Sequence, residues 1–171
     1  MKKVLPALVC GFAAGVLQVV PFIRGLSCCL LLPLAGVFAI VLYQKSSGVI
    51  EKIPYGKGAM LGLLTGVFAA LFSTFFDSII SFITHSNIFV EEFVSIQKAF
   101  NDLPFSEEMK NELIKMYSMI RDEIVRDGFS FWYTSGMLVS NLIAGILFGL
   151  LGGLLGTYFM NAKNSNYYSS R

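Results

Sequence analysis

Hydrophobic residues are concentrated in four long stretches of the chain, at about 4–22, 26–43, 58–84 and 131–159. Together these stretches cover 93 residues and contain one charged side chain, Asp77. A charge at the centre of a bilayer costs about 3 kcal/mol, so its exclusion over such lengths is typical of membrane-spanning helices. A helix needs ~20 apolar residues to cross ~30 Å of hydrocarbon. The pattern therefore predicts four spans.

The first two stretches, with 19 and 18 residues, are short for a span. A tight corner at 21–25 joins them, so we interpret the pair as a transmembrane hairpin. A re-entrant or interfacial hairpin is the alternative. Pro33 lies inside the second stretch, where a missing backbone donor would kink the helix.

The segment between the third and fourth stretches has a different pattern, which predicts two amphipathic helices within 85–130. In the first, apolar residues recur at helical spacing (Phe89, Phe93, Ile96, Phe100, Leu103) and end before Pro104. In the second, the predicted apolar stripe is Met109, Leu113, Met116, Ile120 and Ile124. Ser106 is a good N-cap for this second helix, and Gly128 is a good C-terminal stop. Each helix could bury its stripe against the other or the spans; the alternative is a docking surface for a partner protein.

Composition supports a membrane protein. The chain has 171 residues, of which 55% are hydrophobic and 14% charged, against ~25% charged in ordinary soluble domains. These figures disfavour a soluble enzyme or a disordered chain. A net charge of +2 is too small for the electrostatic footprint of a nucleic-acid binder. The predicted fold is all-α: an integral membrane four-helix bundle, one domain over 1–171, with an extramembrane helical hairpin.

The distribution of charge predicts a topology. Residues 85–130 carry nine acidic and five basic side chains, whereas the short flanks of the spans are mainly basic. By the positive-inside rule, both termini and the 44–57 loop lie in the cytoplasm of a cell (inner) membrane. Residues 85–130 then lie outside. Tyrosines and a tryptophan occupy predicted interface positions at the outer end (Trp132, Tyr133) and the inner end (Tyr43, Tyr55, Tyr158).

Small residues recur every three or four positions on three of the predicted spans. In a bilayer, such residues let helix backbones approach closely, which is the usual basis of helix association there. We therefore predict helix-packing roles for Gly11, Gly15, Gly58, Gly62, Gly66, Gly145, Gly149, Gly153 and Gly156. A glycine face left exposed would favour a homo-oligomer.

Asp77 is the leading candidate for chemistry, because an acid within a span is a functional hypothesis by default. Ser73, Ser81 and His85 share its helical face at steps of four, so an ion or proton relay can be drawn. The alternative is a structural Asp77 near the outer interface. His85 is interpreted as a solvated or capping group. Gln18 and Asn141 are predicted to form interhelical hydrogen bonds, with Asp77 as a partner for Asn141.

Other chemistry has little support in the sequence. The three cysteines, Cys10, Cys28 and Cys29, have no metal-binding spacing, so we predict no metal site and no cofactor. No catalytic triad, phosphate loop or nucleotide fingerprint is present, and we predict that the chain is not an enzyme.

Several features resemble uncharacterised bacterial four-span membrane families. They are the run from Ile53 to Gly58 before a span, a helical pair containing Ser106 to Lys110, and a glycine-rich last span followed by Asn161-Ala162-Lys163. The Cys28-Cys29 hairpin followed by Leu42-Tyr43 is similar to a group of small glycine-rich membrane proteins. The resemblance implies the four-span topology and assigns no site residue.

Two functions are consistent with these patterns. The first is an accessory, assembly or scaffold component that acts through helix packing and through residues 88–127, with a homo-oligomer or another membrane protein as partner. The second is a small oligomeric transporter or channel that uses Asp77.

Overall fold

A computed structural model describes residues 4–20, 30–48, 52–102 and 104–169, with side chains described as far as Asn164. Over these ranges the chain forms helices and no strand, which confirms the all-α prediction. The seven helices are α1 (Leu5–Gln18), α2 (Leu32–Ser47), α3 (Tyr55–Thr84), α4 (Ile88–Glu91), α5 (Phe93–Asp102), α6 (Glu107–Asp127) and α7 (Phe131–Ser169). The predicted corner at 21–25, Arg24, Cys28, Cys29 and Leu103 lie outside the described residues.

Within the described ranges, two helices are long and apolar enough to cross a membrane: α3, with 30 residues, and α7, whose qualifying part is Phe131–Asn164. This length and composition favour membrane association. Helices α1 and α2 have 14 and 16 residues, or ~21 and ~24 Å at 1.5 Å per residue, which is less than ~30 Å of hydrocarbon. The four-span arrangement therefore stays a prediction.

The ends of α2 differ from the sequence-based prediction. The helix begins at Leu32, so Pro33 lies in its first turn and not in its interior. Leu30 and Leu31, just before the helix, have π-helical backbone, and the kink predicted at Pro33 stays a prediction. At the other end, Gly48 adopts a left-handed φ of 63° and ends the helix.

The chain divides into two compact units, which we name by their packing. The glycine unit comprises residues 1–76 and 138–171. The aromatic unit comprises residues 77–137, and so includes the last two turns of α3 and the first two of α7 as well as α4, α5 and α6.

Backbone contact at glycines holds the glycine unit together. A Cβ atom added to Gly66 would overlap the carbonyl oxygen of Gly145. A Cβ atom added to Gly62 would lie 2.7 Å from Cα of Gly153. Gly11 and Gly15 of α1 face α3 in the same way, and there a Cβ would lie 2.6 and 2.7 Å from Cβ of Phe68 and Phe72, respectively. Gly58, Gly149 and Gly156 also lack room for a Cβ. At these positions only glycine lets the helices approach so closely.

The interior of the glycine unit consists mainly of small side chains, with the larger Leu32, Ile40, Ile53 and Leu61 among them, and its surface carries many large apolar ones. Six of its buried hydrophobic residues are alanines, and Thr65 and Thr157 are fully buried. By contrast, Leu34 and Phe38 of α2 are 51% and 61% exposed, and large exposed side chains recur on α7 (Val139, Ile143, Leu147, Leu151, Tyr158, Phe159). A water-soluble helical protein would place these large side chains inside.

Aromatic rings form the centre of the aromatic unit. The ring of Tyr117 on α6 lies 5.5 Å from that of Phe89 and 5.1 Å from that of Phe100, while Phe89 also contacts Tyr133 at 5.5 Å. The guanidinium of Arg121 lies 5.1 Å from the ring centre of Phe93.

The predicted stripe of α6 is partly wrong. Leu113 and Ile120 are half-buried and Ile124 is fully buried, but Met109 and Met116 are exposed. The buried face is rotated toward Tyr117 because the rings of α4 and α5 lie there. Both predicted ends of α6 are confirmed: the Ser106 hydroxyl accepts the Met109 N–H, and Gly128 adopts a φ of 71°.

Candidate functional site

Asp77 lies on α3 and is 6% exposed. The hydroxyl of Tyr133, in the first turn of α7, lies 3.4 Å from its Oδ2. This separation is long for an O–H···O hydrogen bond, so the bond that Tyr133 donates is a weak one. Since the ring of Tyr133 packs on Phe89, the carboxylate is connected to the aromatic cluster. Trp132, by contrast, is 70% exposed. Tyr133 is half-buried, and its predicted position at the membrane interface stays a prediction.

Ser81 is buried one turn beyond Asp77, and its hydroxyl accepts a hydrogen bond from Nδ2 of Asn87 at 3.3 Å. The Oδ1 atom of Asn87 accepts the Val90 N–H at 3.1 Å and caps α4. Asn87 is not among the residues predicted from the sequence, although an asparagine just before an apolar helical run is a recognised N-cap signal.

His85 follows the last residue of α3 and is exposed, with a left-handed φ of 50°. It therefore lies beyond the helical face on which Asp77 and Ser81 are found. This is the location expected of a solvated residue at a helix end.

Asn141 lies in the glycine unit, where its Nδ2 donates to the hydroxyls of Ser73 at 3.3 Å and Thr74 at 3.0 Å. These are interhelical hydrogen bonds between α7 and α3, of the kind the sequence suggested for Asn141. Its pairing with Asp77 stays a prediction. In membrane proteins such bonds contribute ~0.6 kcal/mol each on average.

Gln18, at the end of α1, has a different environment. Its Nε2 atom is buried and has no hydrogen-bond partner among the described residues. The interhelical bond predicted for Gln18 is therefore not made by its Nε2 atom among these residues, and a bond to its Oε1 atom stays a prediction.

Two polar contacts found in the structure were missed from the sequence. Asn161 of α7 accepts the Ile53 N–H through Oδ1 at 2.8 Å and donates to the Ile53 carbonyl through Nδ2 at 2.9 Å. This pair of bonds fastens the residues before α3 to the end of α7. In the aromatic unit, the hydroxyl of buried Ser130 donates to Glu123 at 2.7 Å. Sequence spacing gives no signal for either contact, because their partners are distant or lie across a turn.

The described residues bring no three His, Cys, Asp or Glu side chains together as a metal site would require. The chain matches no protein-family model, no curated protein and no solved structure in the three comparisons made. The resemblance to four-span families stays a prediction, and function has to be argued from the geometry.

Proposed function

We propose that this chain is an integral membrane protein with four spans, formed by α1, α2, α3 and α7, and that it acts by association as an accessory or scaffold component. The observation that carries the proposal is the reversed distribution of side chains in the glycine unit. Large apolar groups such as Leu34 and Phe38 cover its exterior, while glycine and alanine supply most of its interior. In water that exterior would cost ~25 cal/mol per Å² of apolar surface, whereas lipid removes the cost.

In this proposal both termini lie in the cytoplasm and residues 85–130 lie outside, as the charges of the sequence predict. Because α1 and α2 are shorter than the hydrocarbon core, the bilayer becomes thinner around them, or apolar residues next to the helix ends complete the crossing. The nine acids of 85–130 keep that segment from anionic lipid surfaces.

The association surface that we propose is the exposed methionine face of α6. Met109, Met116 and Met119 are 48–57% exposed and lie on one side of that helix, with Phe105 just before it. Methionine side chains are flexible and polarizable, and such surfaces are used for binding varied partners. The acidic residues Glu108 and Glu112 are exposed on the same helix, which favours a partner with basic groups around an apolar centre.

Native electrophoresis after mild detergent extraction tests this function. The wild type should migrate as a complex larger than the monomer, and Met116→Asp with Met119→Asp should release the monomer without unfolding it. Lys98→Asp, a charge change at an exposed site of α5, should leave the complex intact. A wild type that is monomeric in detergent and in nanodiscs would contradict the proposal.

The burial of Asp77 in an apolar helix supports a second candidate, an oligomeric transporter or channel. The test is ion flux into liposomes containing the purified protein. This function is favoured if the wild type and Ser78→Ala conduct ions and Asp77→Asn does not. Absent flux, or flux unchanged by Asp77→Asn, would end it.

A further inference from the structure

An apolar groove runs between α1 and α2 in the glycine unit. Its volume is about 510 Å³, within the ~300–1,000 Å³ of small-molecule sites. Apolar side chains of both helices form its walls, among them Val9, Ala13, Leu17, Leu34, Phe38 and Leu42. The lining runs along α2 from Leu31, the residue before the helix, to Lys45, a length of ~21 Å at 1.5 Å per residue. A groove this long and apolar suits an extended hydrocarbon chain.

Lys45 is the one charged residue in the described lining of this groove. It is exposed in the last turn of α2. A long groove of hydrocarbon character with a single cation at one end is complementary to a molecule with an acyl tail and a negative head.

A second groove of the same unit repeats this arrangement. It has a volume of about 320 Å³ and is lined by Val4, Tyr43, Met60, Leu61, Leu64 and one charged residue, Lys57. Lys57 is exposed in the first turn of α3. Both lysines belong to the segment around the 44–57 loop, which is the side that the positive-inside rule assigns to the cytoplasm.

We propose that the groove between α1 and α2 is a binding site for an anionic phospholipid of the bilayer, with an acyl chain along the apolar walls and the phosphate paired with Lys45. The inference rests on the membrane placement proposed above. The ~30 Å hydrocarbon core provides acyl chains at the depth of the groove, and anionic headgroups are attracted to lysines at the cytoplasmic surface.

Native mass spectrometry of the full-length protein, released from detergent with added phosphatidylglycerol or phosphatidylcholine, tests the site. The wild type should retain phosphatidylglycerol preferentially. Lys45→Gln should weaken that retention about fivefold, the equivalent of ~1 kcal/mol per lysine at a membrane surface. Retention of phosphatidylcholine should not change. Lys163→Gln removes the same charge from an exposed position outside both grooves and should behave as the wild type.

Ala13→Phe provides an independent test, because Ala13 is exposed to the groove and its replacement fills the space without entering the interior. It should reduce retention of both lipids in a protein that still elutes as a folded species. The proposed site is overturned if Lys45→Gln and Lys163→Gln lose phosphatidylglycerol retention equally, or if Lys45→Gln loses none. This conclusion does not depend on whether Ala13→Phe folds.

The membrane placement is tested separately by washing membranes with alkaline carbonate. Protein removed by the wash contradicts the proposed function itself. Protein that resists the wash, with Lys45→Gln indistinguishable from the wild type in lipid retention, contradicts only the lipid site.

Discussion

The two units of this chain are stabilised by different means. In the glycine unit, helices meet backbone to backbone, as at Gly66 and Gly145, and large apolar side chains face outward. In the aromatic unit, rings such as Tyr117 and Phe89 meet in the centre, and helix ends are closed by side-chain and glycine caps. The first arrangement depends on close approach and needs no hydrophobic effect, while the second resembles a small water-soluble core. The comparison shows that the two units fill their interiors with different contacts, backbone against backbone in one and ring against ring in the other.

Enlarging a glycine in the glycine unit should have the largest effect. We expect Gly66→Leu to destabilise the protein by about 3 kcal/mol or more, because the added atoms meet the backbone of Gly145 and no flexible side chain there can move aside. Thermal unfolding in detergent measures the loss. Gly56→Ala, in the same helix but with open space around it, should melt at the wild-type temperature or slightly above. Equal melting of the two variants would refute close glycine packing as the basis of this unit.

Removing a ring from the aromatic unit should have the next largest effect. Tyr117→Ala should cost about 2–3 kcal/mol, since it removes contacts with both Phe89 and Phe100. Tyr117→Phe keeps those contacts and should stay near the wild type. Trp132→Ala, which truncates a ring that is 70% exposed, should change stability in detergent by less than ~0.5 kcal/mol. If Trp132→Ala and Tyr117→Ala lose the same stability, the rings around Tyr117 are not the core of the aromatic unit.

A cap of α6 should contribute less than a ring. Ser106→Ala should destabilise the helix by ~1 kcal/mol. It should also speed hydrogen exchange at the Met109 amide, because the Ser106 hydroxyl accepts the hydrogen bond of that N–H group. Ser118→Ala is the matched control, because that hydroxyl bonds within the helix to the Lys115 carbonyl. Alanine is the better helix former there, so exchange should slow or stay unchanged. Faster exchange in both variants would point to a general loosening.

Local rules were sufficient for the ends of α6 but not for its buried face. Ser106 and Gly128 were predicted because a cap depends on a few neighbouring residues. The choice between Met116 and Tyr117 as the inward residue depends on rings of α4 and α5 that are distant in sequence. The contacts of Tyr133 with Asp77 and Phe89 were not predicted for the same reason, since these partners are distant in sequence. Glycine spacing pointed to close helix contact without identifying which helices meet.

The smallest expected effect is that of the Arg126–Asp127 ion pair. The Asp127 carboxylate accepts hydrogen bonds from the Arg126 guanidinium, which lowers the pKa of Asp127 below its ordinary value. A carboxyl group whose pKa is lower in the folded state than in the unfolded state stabilises the fold at pH values above its ordinary pKa. This contribution is lost as the pH falls through the pKa of the folded state, which for Asp127 lies in the acid range below about 4. Both groups are fully exposed, so solvent screens the pair. Arg126→Gln should therefore raise the pKa of Asp127 in an NMR titration while the melting temperature at pH 7 stays within error. A clear fall in melting temperature would mean that this part of the aromatic unit depends on charge as well as on rings.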